Sequence, residues 1–177
     1  MKIVISGDAG SGKSSTADLI AEKLLLKRFS TGDLQRKVAE SRGISINELG
    51  VLEAKDPKVD LEIDAKSKEL GETEDNFVID SWLAAFFIPD SFKVFLTADI
   101  DVRVKRRIRQ KRLTESFDDL DTAKKSMLDR EEVNRARWIK LYGFDYRDSS
   151  NYDIIIDTTD LSIDETADMI IDASRTD

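Results

Sequence analysis

The sequence predicts an α/β fold built on a mostly parallel sheet, and three observations carry that prediction. Short apolar segments alternate with longer helical patterns along the chain, the order expected of βαβ units. The segments NFVID (76–80) and KVFLT (93–97) are nearly continuous in apolar character, as strands covered on both faces are. A glycine-rich turn joins the first apolar strand directly to an amphipathic helix.

Taken in order, Lys2–Ser6 reads as the first strand. A helix follows from about Lys13 to Leu26, with Ala17, Ile20, Ala21 and Leu24 at helical spacing. A short apolar step at Phe29–Ser30 leads through TGD into a helix from about Leu34 to Arg42, ended by Gly43. Ser45 with Glu48 forms a capping-box pattern, and Asp56-Pro57 supplies an N-cap and N1 proline for a helix closing at Gly71. The stretch 29–71 is thus expected to be a mainly helical insertion. Beyond the two buried strands, Asp99 can cap a helix to about Arg112, and the polar TESFDDLD breaks the pattern. A long helix then runs from about Thr122 to Tyr142 and stops at Gly143. YDIIID (152–157) is the last strand, and Ser162 with Glu165 caps a terminal helix. With no internal repeat or linker, one domain is expected over 1–177.

Composition narrows the chemistry. The 177 residues hold 36 acids against 28 bases, a net charge of −8, and contain neither cysteine nor histidine. These absences exclude a disulfide framework, a zinc site of Cys or His, a thiol nucleophile and a His-based triad. Carboxylates, lysine, arginine, hydroxyls and backbone dipoles are what remain. Uncharged apolar runs fall far short of the ~20 residues that cross a bilayer, and the opening residues turn polar after one strand. A soluble cytoplasmic protein without a membrane partner is expected. Residues 145–177 carry ten acids and two bases, which argues against a nucleic-acid partner.

Gly7-Asp8-Ala9-Gly10-Ser11-Gly12-Lys13-Ser14 matches G-x-x-x-x-G-K-[ST], the phosphate-binding loop. Glycines let the backbone curl around an anion with its amides pointing inward. Lys13 can neutralise β- and γ-phosphates, Ser14 can ligate Mg²⁺, and the helix start adds its positive dipole end. Neither N-K-x-D nor D-x-x-G follows, so a GTPase is excluded. The helical insertion and the basic run RVKRRIRQKR (103–112) suit a small-molecule kinase, which must enclose its acceptor.

The chain resembles the P-loop nucleoside monophosphate kinases, and among them the short cytidylate kinases typical of archaea. The likeness runs through ISGDAGSGKSS, STGDLQRKVAESRGIS, DPKVDLEID, FVID, VFLTADIDVR, LDREEVNRARWIKLYGFD and YDIIIDTTDLS. It implies a three-layer P-loop fold, an acceptor-binding insertion over about 31–71 and a short lid over about 107–122. It also implies ATP and Mg²⁺ as cofactors, a nucleoside monophosphate as substrate, CMP or dCMP first, and a monomer. Another small-molecule or adenylate kinase, or a non-catalytic nucleotide- or RNA-associated factor, is the alternative.

Residue by residue, the resemblance puts ATP on Gly7 through Ser15, with Thr158 beside the adenine, and Mg²⁺ on Ser14 and Asp80. It puts the acceptor on Thr31, Arg36, Asp80, Trp82, Asn134 and Arg137. Lys13, Arg107, Arg112 and Arg130 would act on the transferring group, with Arg107 matching a residue that stacks on adenine. Arg130, Asn134 and Arg137 share one helix face by their i, i+4, i+7 spacing. Blander readings stand beside these: solvated arginines, a turn-capping Asp80, and a basic run that is simply a hydrated face or an RNA patch. Two departures mark this chain. Asn134 stands where the family usually has an acid. Asp80-Ser81-Trp82 stands where it normally reads Asp/Glu-Gly-Arg, so that Trp82 stacks on a base, closes the pocket or fills the core.

Overall fold

In the computed structural model, which describes residues 1–55, 58–109 and 119–175, five parallel strands form one sheet. They are β1 (Lys2–Gly7), β2 (Lys27–Ser30), β3 (Phe77–Asp80), β4 (Phe92–Thr97) and β5 (Ile154–Asp157), in the spatial order β2-β3-β1-β4-β5. The helices are α1 (Lys13–Leu24), α2 (Thr31–Ser41), α3 (Ile46–Lys55), α4 (Lys58–Thr73), the single turn α5 (Ala84–Phe87), α6 (Ile100–Arg109), α7 (Leu120–Tyr142) and α8 (Ile163–Ala173).

Alternation along the strands divides the core into two layers. Ile3 and Ile5 of β1, with Val78, Val94, Leu96 and Ile156, face Ala17 and Ile20 of α1 and Ala167, Ile170 and Ile171 of α8. Val4, Phe77, Ile79 and Phe95 face the opposite way, onto Leu83, Ala84, Ile88, Trp138, Phe144 and Tyr146. The insertion has a small core of its own, Ala39, Ile46 and Leu49. Ala9 of the glycine-rich loop packs with Val104, Ala123 and Met127, so α6 and α7 rest directly on that loop.

Several expected boundaries shift, each for a physical reason. Residues 27–30 form an edge strand paired with β3, with Lys27 opposite Phe77 and Ser30 opposite Asp80. Its sequence KRFS lacks an apolar run because an edge strand has only partly buried positions, and charged side chains blunt its free edge. α2 begins at Thr31 because the Ser30 side chain accepts the Asp33 amide, which draws TGD into the first turn. α7 begins at Leu120, capped by Asp119 accepting from the Thr122 amide at 2.7 Å. α1 ends at Leu24, with Leu25 in the left-handed region at φ 53°. The Asp56-Pro57 helix start lies outside the described residues. Both capping boxes form: Ser45 with Glu48, and Ser162 with Glu165.

All the strands point the same way, so the segments after them gather at one edge of the sheet, where open α/β sheets bind ligands. Gly7, Ser30, Asp80, Thr97 and Asp157 end the strands there.

Replacing Ser162 with Ala removes the cap of a helix whose other face is core. A loss of roughly 1 kcal/mol is expected, a fall of about 2–4 °C in thermal midpoint, with ligand binding unaltered. Thermal unfolding with and without nucleotide checks it.

Candidate active site

The loop after β1 turns on glycines held at positive φ: Gly7 at 136°, Gly10 at 80° and Gly12 at 98°. Space as well as conformation fixes two of them. A Cβ on Gly7 would lie 2.0 Å from the Leu96 carbonyl oxygen, and one on Gly10 would lie 2.6 Å from that of Arg103. Gly12 is then the N-cap of α1 and makes no side-chain cap. The first-turn amides of α1 therefore lack the oxygen that a Ser or Asp cap would give them, the arrangement that favours an anion.

These amides face a cleft. Ala9, Gly10, Gly12, Lys13, Ser14 and Ser15 form its floor, Thr31, Gly32, Gln35 and Arg36 of α2 one wall, Asp80, Ser81 and Trp82 another, and Arg107 and Arg130 the roof. Four cations from four elements thus converge on one small space. Arg36 is ion-paired with Asp33 one turn earlier in α2.

Lys13 Nζ donates to the Gly7 carbonyl at 2.8 Å and to the Asp8 carbonyl at 2.6 Å. Burial lowers its pKa to about 8, opposed by Asp80, Glu131 and Asp8 and reinforced by Arg107. Ser14 Oγ donates to Asp80 Oδ2 at 2.6 Å, and Arg28 Nη2 pairs with Asp80 Oδ1 at 2.6 Å. A hydroxyl beside a carboxylate is a hard oxygen donor set of the kind Mg²⁺ takes, with phosphates and water completing its shell. Among the described residues no group of three or more acidic side chains could hold a metal alone.

Trp82 stands between core and cleft. Its indole N–H donates to the Gly7 carbonyl at 2.7 Å, and its ring packs on Trp138 and Tyr146 at centroid distances of 5.5 and 6.1 Å. Lys13 Nζ and Arg130 Cζ lie 5.6 and 5.0 Å from the ring centroid, within cation–π range.

The remaining expected residues lie elsewhere. Thr158, 3% exposed, bonds to the Ser11 carbonyl at 2.9 Å and accepts from Arg106 at 3.0 Å, bracing the loop from behind. Arg106 holds the segment 158–159, whereas Arg107, the residue matched to adenine stacking, faces the phosphate side of the cleft. Ser11 and Asp8 are buried within the loop, Ser11 donating to the Asp8 carbonyl. Asn134 borders a second hollow, between α3 and α7, that shares Arg130 with the cleft, and Arg137 donates to the Gly50 carbonyl at 3.3 Å and pairs with Glu53. Arg112 lies outside the described residues. Sequence reasoning missed Gln35, Ser81, Arg28 and the partners behind the loop, Arg103, Glu131 and Arg147. Arg147 had no motif to mark it, Glu131 lay unremarked within LDREEVNRARWIKLYGFD, and Arg103 was hidden in a run of seven bases.

A parallel sheet of this order, with a phosphate loop after its central strand and a cation-lined cleft beside a helical insertion, defines a P-loop kinase by fold. A model of the cytidylate kinase-like family matches residues 2–160, and the chain belongs to that family. The cytidylate kinase of Staphylothermus marinus is 35% identical over 95% of this chain and 93% of its own length. That of Aeropyrum pernix is 35% identical over 97% and 98%. Among solved structures, an uncharacterized protein from Eubacterium ventriosum superposes with a TM-score of 0.72 at 21% identity, covering 100% of this chain and 99% of that one. Shikimate kinase from Acinetobacter baumannii superposes at 0.60 with 14% identity, covering 99% and 93%. No helix among the described residues is long and apolar enough to cross a membrane.

Because the Lys13 ammonium is disfavoured by burial, a phosphate anion beside it should raise its pKa. Above pH 8, MgADP binding should therefore take up a proton and weaken as pH rises, while at pH 6.5 Lys13 should contribute no uptake. Calorimetric titration in buffers of different ionisation enthalpy measures this, and Lys13→Met should abolish the uptake.

Proposed function

We propose that this protein transfers the γ-phosphoryl group of ATP to the phosphate of CMP or dCMP, giving ADP and the nucleoside diphosphate. The observation that carries this is the convergence of Lys13, Arg36, Arg107 and Arg130 on the uncapped amides of the phosphate loop. Family membership supplies the acceptor class, since the relatives named above are cytidylate kinases.

In this reading the phosphate loop from Gly7 to Ser15 cradles the donor phosphates, with Lys13 against the β- and γ-oxygens. The α2–α4 insertion forms the acceptor side, where Thr31 and Arg36 hold the monophosphate; most of the lid expected over 107–122 lies outside the described residues. An acceptor phosphate oxygen attacks the γ-phosphorus as the bond to the β-bridging oxygen breaks, and ADP leaves. The transferred group needs no histidine base. It needs alignment and cations that meet charge spread over its oxygens, which Lys13, Arg107 and Arg130 provide. Mg²⁺ held by Ser14 and Asp80 would neutralise charge on the β- and γ-phosphates. Trp82 occupies the place of the usual family arginine, so the acceptor phosphate relies more heavily on Arg36 and Arg130. In this reading the protein acts on single nucleotides, as a monomer.

Release of ADP from MgATP, measured against all ribo- and deoxyribonucleoside monophosphates, tests the reading. CMP or dCMP should lead. Turnover led by AMP, or by no monophosphate, would overturn it.

Lys13→Ala should lower kcat at least a hundredfold with the fold intact, since one such donor is worth roughly 3–4 kcal/mol in the transition state. Arg36→Ala should raise the KM for the monophosphate far more than that for ATP, by roughly 1.5–3 kcal/mol of lost charged hydrogen bonding. Steady-state kinetics with each substrate varied separates the two.

A further inference from the structure

Behind the phosphate loop, on the side away from the cleft, two acids and two bases form a closed set. Glu131 of α7 is at its centre, 1% exposed. Its Oε1 accepts from the Ala9 amide at 2.6 Å and from Arg103 Nη2 at 2.5 Å, and its Oε2 accepts from Arg147 Nη2 at 2.7 Å. Arg103 and Arg147 also reach Asp8, at 3.5 and 3.4 Å. Arg103 Nε donates to the Ala9 carbonyl at 2.9 Å. Both polar backbone groups of Ala9 are therefore gripped, one by the carboxylate and one by its arginine partner.

Stability alone does not call for such a set. Apolar residues of similar volume in place of a buried ion network are often as stable or more so. What an apolar side chain cannot do is hold a peptide group in one orientation. The set completes the hold that Lys13 and Trp82 have on the Gly7 carbonyl and Thr158 has on the Ser11 carbonyl, and it is the part of that hold that reaches α7. The same carboxylate also ties down α7. Residue 130, next along that helix, sends its guanidinium into the cleft over the Trp82 ring. Sliding or turning α7 would pull Glu131 off Ala9 and withdraw Arg130 together.

We propose that Glu131 is a positioning residue for phosphoryl transfer, whose grip on Ala9 keeps α7 in the register that puts Arg130 into the cleft. Its kinetic consequence rests on the kinase reading above; the register itself does not. Glu131 touches neither donor nor acceptor, so its effect passes through the loop and through Arg130.

A double-mutant cycle in the full chain tests it, with Glu131→Gln, Arg130→Met and the double variant assayed with MgATP and CMP. Misplacement of a reacting group by about an ångström costs up to ~100-fold. Glu131→Gln is therefore expected to lower kcat about 30- to 100-fold while the KM for ATP moves by less than about threefold. In the Arg130→Met background it should cost less than about threefold more, since both changes remove one function. Glu131→Asp keeps the charge but is too short to span Ala9 and both arginines, so it should lose kcat as well; it keeps the test alive if the Gln variant fails to fold. Arg135→Met removes the outward pair with Asp145, at 2.6 Å, from the same helix and should leave kcat unchanged. Losses that multiply in the double variant, or that track the fall in thermal midpoint across Glu131→Gln and Arg135→Met, overturn the proposal.

A second readout needs no turnover. In a Trp138→Phe background Trp82 is the remaining tryptophan, and its emission senses the guanidinium over its ring. Glu131→Gln and Arg130→Met should shift that emission alike. A shift with Arg130→Met but none with Glu131→Gln overturns the proposal even if the wild-type protein phosphorylates no monophosphate, an outcome that would defeat only the kinase reading.

Discussion

A helix that begins on a glycine brings amide donors to its first turn and no side chain to satisfy them. In this protein that helix is α1, and it begins five residues beyond the central strand, at the open edge of a parallel sheet. The unmet donors and the dipole behind them make the spot favourable for an anion before any side chain is considered. The rest of the site answers to that condition. Lys13 adds a full charge to the partial ones, Ser14 meets Asp80 from the neighbouring strand, and arginines from α2, α6 and α7 close the space around it. Short strands of one direction are what allow elements so distant in sequence to meet there.

The strand–loop–helix start, the buried strands, both capping boxes and the stop of α7 at Gly143 were legible, because each rests on neighbours in sequence. What was not legible depends on the partner an element meets. β2 could not be read as a strand, since an edge strand holds polar residues that look like a turn. The basic run 103–112 marked Arg107 and Arg112 for the transferring group and left the other bases without places; over 103–109 the helix sends its residues in different directions. Arg103 turns inward to Glu131, Arg106 reaches Thr158, Arg107 enters the cleft and Arg109 stays in water. Glu131 itself lay within Asp-Arg-Glu-Glu, which has the composition of a hydrated surface. Only the packing of α7 against the loop separates it from exposed Glu132.

Trp82 illustrates how a site residue can belong to two environments. An arginine at this position would place another charge in the cleft. The indole instead gives one hydrogen bond to the loop carbonyl, packs on Trp138 and Tyr146 of the aromatic cluster, and lies within cation–π range of Lys13 and Arg130. A ring face attracts cations without neutralising them. It can therefore attract Lys13 and Arg130 at the cleft wall without adding a charge of its own.

The uneven placement of charge has a consequence for encounters in solution. The chain carries −8 overall, and α8 exposes Asp164, Glu165, Asp168 and Asp172 while the cations converge inside the cleft. A narrow positive recess in a negative body focuses field lines toward its mouth and repels anions elsewhere. Such a distribution favours encounter of an anion at the cleft over encounter along α8.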